Sequence, residues 1–388
     1  MLRFFSPSFV STGFVAVLVG YASAGAIIFQ AANAAGANPA QISSWLWALG
    51  VGMGVSSACL TLWYRQPILI AWSTPGAALL VTSLPGVPMS DAIGAFLFSS
   101  FLLTLCGVTG WFEKIMNVVP QSLAAALLAA VLLRFGLDAF VALEADFSLV
   151  GIMLVIYLLT KQLLPRYVIP LTFLSGIVVA AFQGSLAGVS LDFTFTTPIF
   201  VMPSFNITTL IGVGIPLFVV TMASQNVPGL AALRTHGYQA PASPLIAWSG
   251  ATGLVLGPFG GFAFNLAAIT AAMCMGKEVH PDPDKRYPAV LWASIFYTLA
   301  GIFGTALTGL FIAFPAALIM AIAGLALLST IANSLEVALR TEAERDAAIL
   351  TFAVAASGLT LLSIGAPFWG LVVGMAAYLF KKRFSTPA

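Results

Sequence analysis

The sequence predicts an all-α polytopic membrane protein with fourteen transmembrane segments, arranged as two inverted repeats of seven spans. Three observations carry that prediction. The 388 residues are 60% hydrophobic and only 7% charged, with a mean hydropathy of +1.03 and apolar runs along the whole length. The basic residues sort to one side of those runs. The third run of each half is broken at its centre by residues that do not suit a membrane helix.

The runs lie at about 9–33, 40–64, 67–83, 90–110, 117–135, 147–163, 167–183, 209–233, 242–258, 260–276, 287–310, 314–334, 346–363 and 365–381. The third and tenth are short against the roughly 20 residues that a helical crossing needs. Charge decides whether they count. With all fourteen crossings, Arg3, Arg65, Lys114, Lys161, Arg166, Arg234, Lys277, Lys285, Arg286, Arg340, Arg345, Lys381, Lys382 and Arg383 share one side, fourteen of the fifteen basic residues, and only Arg134 falls opposite. Striking out the two short runs moves Lys114, Lys161, Arg166 and Arg234 out and Arg134 in, an eleven-to-four split. The positive-inside rule therefore favours fourteen, with both termini and the Arg65 and Arg345 loops cytoplasmic and the Asp192 region outside. Asp138, Glu144 and Asp146 on the outer side carry little weight in that rule.

Other features exclude function classes. A net charge of +2 without a basic face gives no footprint for nucleic acid, and the lipid bilayer is the expected surrounding. Cys59, Cys106 and Cys274 stand singly without C-x-x-C spacing and read as small core hydrophobes. Arg3, the long apolar run after it and "AANAAG" read as an uncleaved first helix rather than a signal peptide. His236 and His280 fall in charged loops, so no metal or other cofactor is expected. With no buried His and no Asp pair in the apolar runs, an enzyme is not expected either. Asp91 and Glu336, near span ends, read as gate hydrogen-bond partners or as snorkelling surface charges.

The midpoint, "QGSLAGVSLDFTFTTPIFVMPSF" at 183–205, reads as a short surface strand or interfacial loop. Around it the halves show weak similarity. "YASAG" before "GANPAQISSW" answers to "MASQN" before "GYQAPASPLIAW", and "AWSTPGAALL" answers to "GPFGGFAFNLAAIT". Seven is odd, so the two halves run in opposite orientations.

The breaks carry the functional argument. Non-helical backbone at membrane depth leaves N–H and C=O groups unsatisfied, at several kcal/mol each, unless it lines a protein-enclosed cavity. Matched broken segments in inverted halves point to a transporter's central site, with half-helix N-termini turned toward an anionic substrate. Pro75 suits the first turn of such a half-helix, with Ser73 or Thr74 as N-cap and Gly76 beside them. Gly257, Gly260 and Gly261 would allow close backbone approach in the second break. Asn265, four residues beyond Gly261, is expected just inside the second half-helix, either in the site or in a structural bond to the facing strand. Ser224, Gln225 and Asn226 are successive polar side chains inside an apolar helix, which either bond between helices or face a cavity.

"GYASAGAIIFQAA", "WSTPGAALL", "TMASQNVPG", "GPFGGF", "LRFGL" and "AGLALLSTI" followed by "ERDAA" resemble the benzoate membrane transport protein (BenE) family over about Phe9 to Phe380. The resemblance implies a bacterial inner-membrane symporter of benzoate and protons, with the fold of the wider uracil-permease-like superfamily. That fold places a short strand and a half-helix in spans 3 and 10. Its core would comprise 1–112 (spans 1–4) and 207–312 (spans 8–11), its gate 113–183 (spans 5–7) and 313–388 (spans 12–14), with 184–206 as linker. Nucleobase transporters of that superfamily carry acidic residues on spans 8 and 10. The matching stretches here read Ser224-Gln225-Asn226 and Phe264-Asn265, which suits an anionic substrate that a fixed carboxylate would repel.

A ring-bearing substrate also gives the aromatic residues near the breaks a use. Trp72, Phe259, Phe262 and Phe264 flank them, with Tyr21 and Ser23 on span 1, and each ring contact adds about 0.5–1.5 kcal/mol beyond area burial. Core packing or lipid contact is the competing reading for each one. Another carboxylate or an inorganic anion, and a passive anion channel, stay open as alternatives. Apolar gate surfaces would suit a homodimer or lipid equally well.

Overall fold

The computed structural model describes residues 6–111, 120–186, 193–362 and 364–384. Arg3, Lys114 and Asp192, which enter the charge count and the topology expectation, lie outside them, as do the first residues of the fifth run.

The first half contains α1 (Pro7–Ala34), α2 (Pro39–Tyr64), β1 (Ile70–Trp72), α3 (Thr74–Ser83), α4 (Met89–Thr109), α5 (Gln121–Ala145), α6 (Phe147–Leu163) and α7 (Val168–Phe182). The second contains α8 (Ile207–Thr235), α9 (Ala242–Leu256), β2 (Phe264–Leu266), α10 (Ile269–Met275), α11 (Tyr287–Ile302), α12 (Gly304–Ala313), α13 (Ala316–Arg340), α14 (Arg345–Ala356) and α15 (Ala366–Phe384). Local chemistry sets the boundaries. Asn38 closes a capping box with Gln41 ahead of Pro39, and Asp146 accepts the Leu149 N–H at 3.0 Å to start α6. That N–H also holds the Asp146 carboxyl below the usual carboxylate range.

Each predicted run coincides with a helix, or with a strand and a half-helix. Six described helices, α1, α2, α4, α5, α8 and α13, are long and apolar enough to cross a membrane singly, and the segment Pro283–Ile302 with Gly304–Ala313, bent by 69°, makes a seventh if taken as one span. The other runs are shorter or more polar.

The packing has the two-fold pattern of a repeat. α2 packs on α11 and α4 on α9, contacts that exchange when the halves are exchanged, while α5 packs on its counterpart α13. Small residues permit the close crossings. A Cβ on Gly50 would lie 2.6 Å from Gly301 Cα, and one on Gly107 would lie 2.3 Å from the Ala247 nitrogen. α5, α6, α7, α13, α14 and α15 pack chiefly on one another, with α1 and α8 making the principal contacts to the rest and α3 a smaller one.

Residues 193–206 form no strand and run as an extended tie. Thr196 N–H donates to Ile302 O at 2.9 Å, Val201 N–H to Pro258 O at 2.8 Å, and Ser204 N–H to Ser90 O at 3.0 Å, while the Ser204 hydroxyl bonds Asp91. This gives Asp91 a structural partner. Glu336 instead pairs with Arg340 one turn on, at 2.7 Å in the open.

The centre of the fold is the meeting of β1 and β2. They pair antiparallel, with Ile70 opposite Leu266, Ala71 opposite Asn265 and Trp72 opposite Phe264. Two strands in an apolar interior expose edge groups, and neighbouring side chains satisfy them. Ser57 Oγ accepts the Ile70 N–H at 2.8 Å, Thr61 Oγ1 donates to Ile68 O at 2.9 Å, and Asn226 Oδ1 accepts the Leu266 N–H at 3.0 Å.

Candidate functional site

Where β1 turns into α3, Ser73 is the N-cap and its Oγ accepts the Gly76 N–H at 2.9 Å. The Ala77 N–H goes to Ser73 O, and Pro75 has no N–H to give. The donor that remains at this end is Thr74, through its amide and hydroxyl. α3 has ten residues, so its dipole favours negative charge at Thr74.

Thr74 lines a cavity of about 740 Å³ together with Ser23, Trp72, Ser224 and Gln225. Ser224 and Gln225 reach it because α8 changes pitch: Met222–Asn226 is a π-helical turn, and Ser224 spends its hydroxyl on Val220 O. On the other side α10 begins after Ala268 with no side-chain cap, so Ala268, Ile269 and Thr270 face the cavity. Tyr297 completes this end. Its hydroxyl sits 2.7 Å from where a Cβ on Gly20 would lie, so Gly20 makes room for it. Tyr21 stands edge-on to Trp72, with ring centroids 4.8 Å apart. The wall is mixed, with apolar surface between a few convergent hydroxyls and amides.

Other candidates stand behind the wall. Asn226 is fully buried, and it holds β2 while its Nδ2 has no partner among the described residues. Asn265 belongs to β2, not to the half-helix: Ala263 adopts φ +47°, pairing with Ala71 keeps the chain extended, and helix starts only at Ile269. Its Nδ2 donates to Ala263 O at 2.8 Å and its Oδ1 has no partner among the described residues. Ser73 is the cap and Tyr21 the backing of Trp72. The cavity does not reach Gly76, whose missing Cβ faces Leu217 and Ser73, or Gly261, which lies against Leu256. Gly260 admits the Trp45 ring rather than the other broken segment. Phe262 and Phe264 are fully buried, Phe262 edge-on to Trp45 and tilted against Phe96, and Phe259 packs on Trp47 and Phe200.

Sequence reasoning missed the opposite wall, which includes Gln121 of α5, Tyr157 and Lys161 of α6, and Ser329, Thr330, Asn333 and Ser334 of α13. Their spacing on α13 was a readable signal, since 330, 333, 334 and 337 share one helical face. No Asp, Glu or His lines the cavity among the described residues.

Residues 3–380 match the benzoate membrane transport protein family, BenE. The chain belongs to that family. It is 52% identical over 380 residues to the inner membrane protein YdcO of Escherichia coli K12, covering 97% of each chain. It is 37% identical over 382 residues to the benzoate membrane transport protein of Acinetobacter baylyi, covering 98% of this chain and 97% of that one. Among solved structures, the transmembrane domain of the cyanobacterial bicarbonate transporter BicA matches with a TM-score of 0.60 at 13% identity, over 96% of this chain and 97% of that one. At that identity the likeness shows the fold, the 7+7 inverted-repeat architecture of SLC26-type transporters. This BenE-family protein is a membrane transporter and not an enzyme.

Proposed function

We propose that this BenE-family transporter carries benzoate, or a closely related aromatic carboxylate, together with a proton into the cytoplasm across a bacterial inner membrane. One observation carries the reading: the N-terminus of α3 opens into the cavity at Thr74, next to an aromatic wall and with no carboxylate lining the cavity among the described residues. The substrate's carboxylate accepts from the Thr74 amide and hydroxyl and from Gln225. Its ring lies along Trp72, which Tyr21 backs edge-on. Ser73, Asn226 and Asn265 hold the two strands and the half-helix that shape this pocket.

The cavity runs toward the helix ends that carry Gln121, Lys161 and Val337. By the positive-inside argument that is the cytoplasmic side, so the fold is in its inward-open state, with α5–α7 and α13–α15 as the gate and the rest as the core.

Charge requires the proton. A carboxylic acid resembling Glu ionises near pH ~4.3 and binds as an anion at neutral pH. Carrying that anion inward against the membrane potential costs about 2.3 kcal/mol per 100 mV. The described lining offers no Asp, Glu or His to hold a proton, so the proton moves with the substrate or its hydrating water and uptake is electroneutral. Purified protein in liposomes tests this. Labelled benzoate is expected to show substrate-induced counterflow, which a channel lacks, and to accumulate under an inward proton gradient at any clamped voltage. Uptake that follows voltage and ignores the pH gradient would refute the proton coupling, and absent counterflow would refute the carrier reading.

A further inference from the structure

We infer a second carboxylate station at the mouth of the cavity, on the side opposite the half-helix, formed by Lys161 of α6 and the polar face of α13. Three observations meet there. Lys161 is the cavity's only charged lining residue among those described. It forms no ion pair among the described residues; its Nζ donates to the Tyr157 hydroxyl at 3.3 Å and lies 5.3 Å from the centre of that buried ring. The tyrosine fixes the ammonium at the wall without neutralising it.

The α13 face supplies uncommitted polar groups. Several Ser and Thr on apolar helices return their hydroxyls to the carbonyl one turn back, as Thr160, Thr172, Ser249, Ser294 and Thr351 do at 2.6–2.9 Å, while Ser99, Ser100 and Thr221 are buried without a partner among the described residues and lie away from the cavity. Thr330, Asn333 and Ser334 of α13 make no such bond among the described residues, and all three line the cavity. A cation held in place, facing donors that the protein does not use, suits an anion that is still partly hydrated.

This station rests on the proposed substrate class for its role and on the cavity alone for its existence. It takes small carboxylates that leave the half-helix, so that the anion passes from one set of donors to another before it enters bulk water. Neutral analogues gain nothing from the cation.

The cavity potential can be read without any substrate. A Val337→Cys thiol, in a Cys59→Ser background, is modified with a negatively and a positively charged methanethiosulfonate reagent, and the ratio of the two rates is the readout. Lys161→Gln is expected to lower the anionic-to-cationic ratio about tenfold at low ionic strength, Lys161→Arg to keep it, and high salt to abolish the difference. Benzoate is expected to protect the thiol, with the half-protecting concentration raised about tenfold by Lys161→Gln or Asn333→Leu. An unchanged rate ratio, or protection unaffected by both substitutions, overturns the station. Absent benzoate counterflow by the wild-type protein together with a changed ratio overturns the substrate assignment and leaves the charged station standing.

Discussion

The two broken segments occupy equivalent places in the repeat and are built differently. The first ends its strand in Ser73-Thr74-Pro75 and starts a half-helix of ten residues with its cap bond made. The second ends its strand in Ala267-Ala268 and starts a half-helix of seven residues with no side-chain cap. The second is held from elsewhere. Asn226 reaches in from α8 to the Leu266 N–H, and Arg286, itself buried, donates to Met275 O at 2.7 Å, His280 O at 2.7 Å and Pro281 O at 3.1 Å. The repeat thus reproduces a backbone path and not its chemistry. The first segment caps its own half-helix and presents donors to the cavity, while the second half-helix has no side-chain cap and depends on Asn226 and Arg286.

Substitutions can break this contrast. The largest expected effect is at Arg286, since removing a buried guanidinium strands three carbonyls. Arg286→Met should cost about 3 kcal/mol or more of stability, read as a lower thermal midpoint of the purified protein. Asn226→Leu leaves the Leu266 N–H unpaired and should cost about 1–3 kcal/mol. Benzoate affinity measured on the folded fraction of these variants should change little if the second segment is scaffold. Ser73→Ala removes the cap and should cost about 1 kcal/mol, while Ser73→Asp should retain stability and weaken benzoate binding by placing a carboxylate beside the site.

Much of the architecture was legible in the sequence because its causes are local. Apolar runs, basic residues at their ends and the Ser-Thr-Pro signature each act within a few residues, and they located the helices and the first half-helix. The second half-helix was placed too early because Asn265 is kept extended by Ala71, almost two hundred residues away, and no local pattern reports that pairing. Phe262 and Phe264 were attractive as ring partners because they flank the break, but packing on Trp45 and Phe96 and the strand pairing turn them into the core. Ser224 and Gln225 were found as polar residues in an apolar helix, but the π-turn that presents them was not foreseeable from their spacing. Lys161 entered only the count of basic residues on one side, since nothing in its surrounding sequence marks it; it sits in the last turn of α6, and only the folding of α6 against α13 brings it to the cavity.

The central claim is that Thr74, at the start of α3, holds the carboxylate. Isothermal titration of benzoate into purified wild-type and Thr74→Val protein tests it most directly, with thermal unfolding of both as the control. Valine keeps the shape and the backbone amide and removes only the hydroxyl donor. The account predicts binding weakened by about 1–3 kcal/mol, roughly 5- to 150-fold, at an unchanged unfolding midpoint. Wild-type affinity in a folded Thr74→Val protein would contradict it.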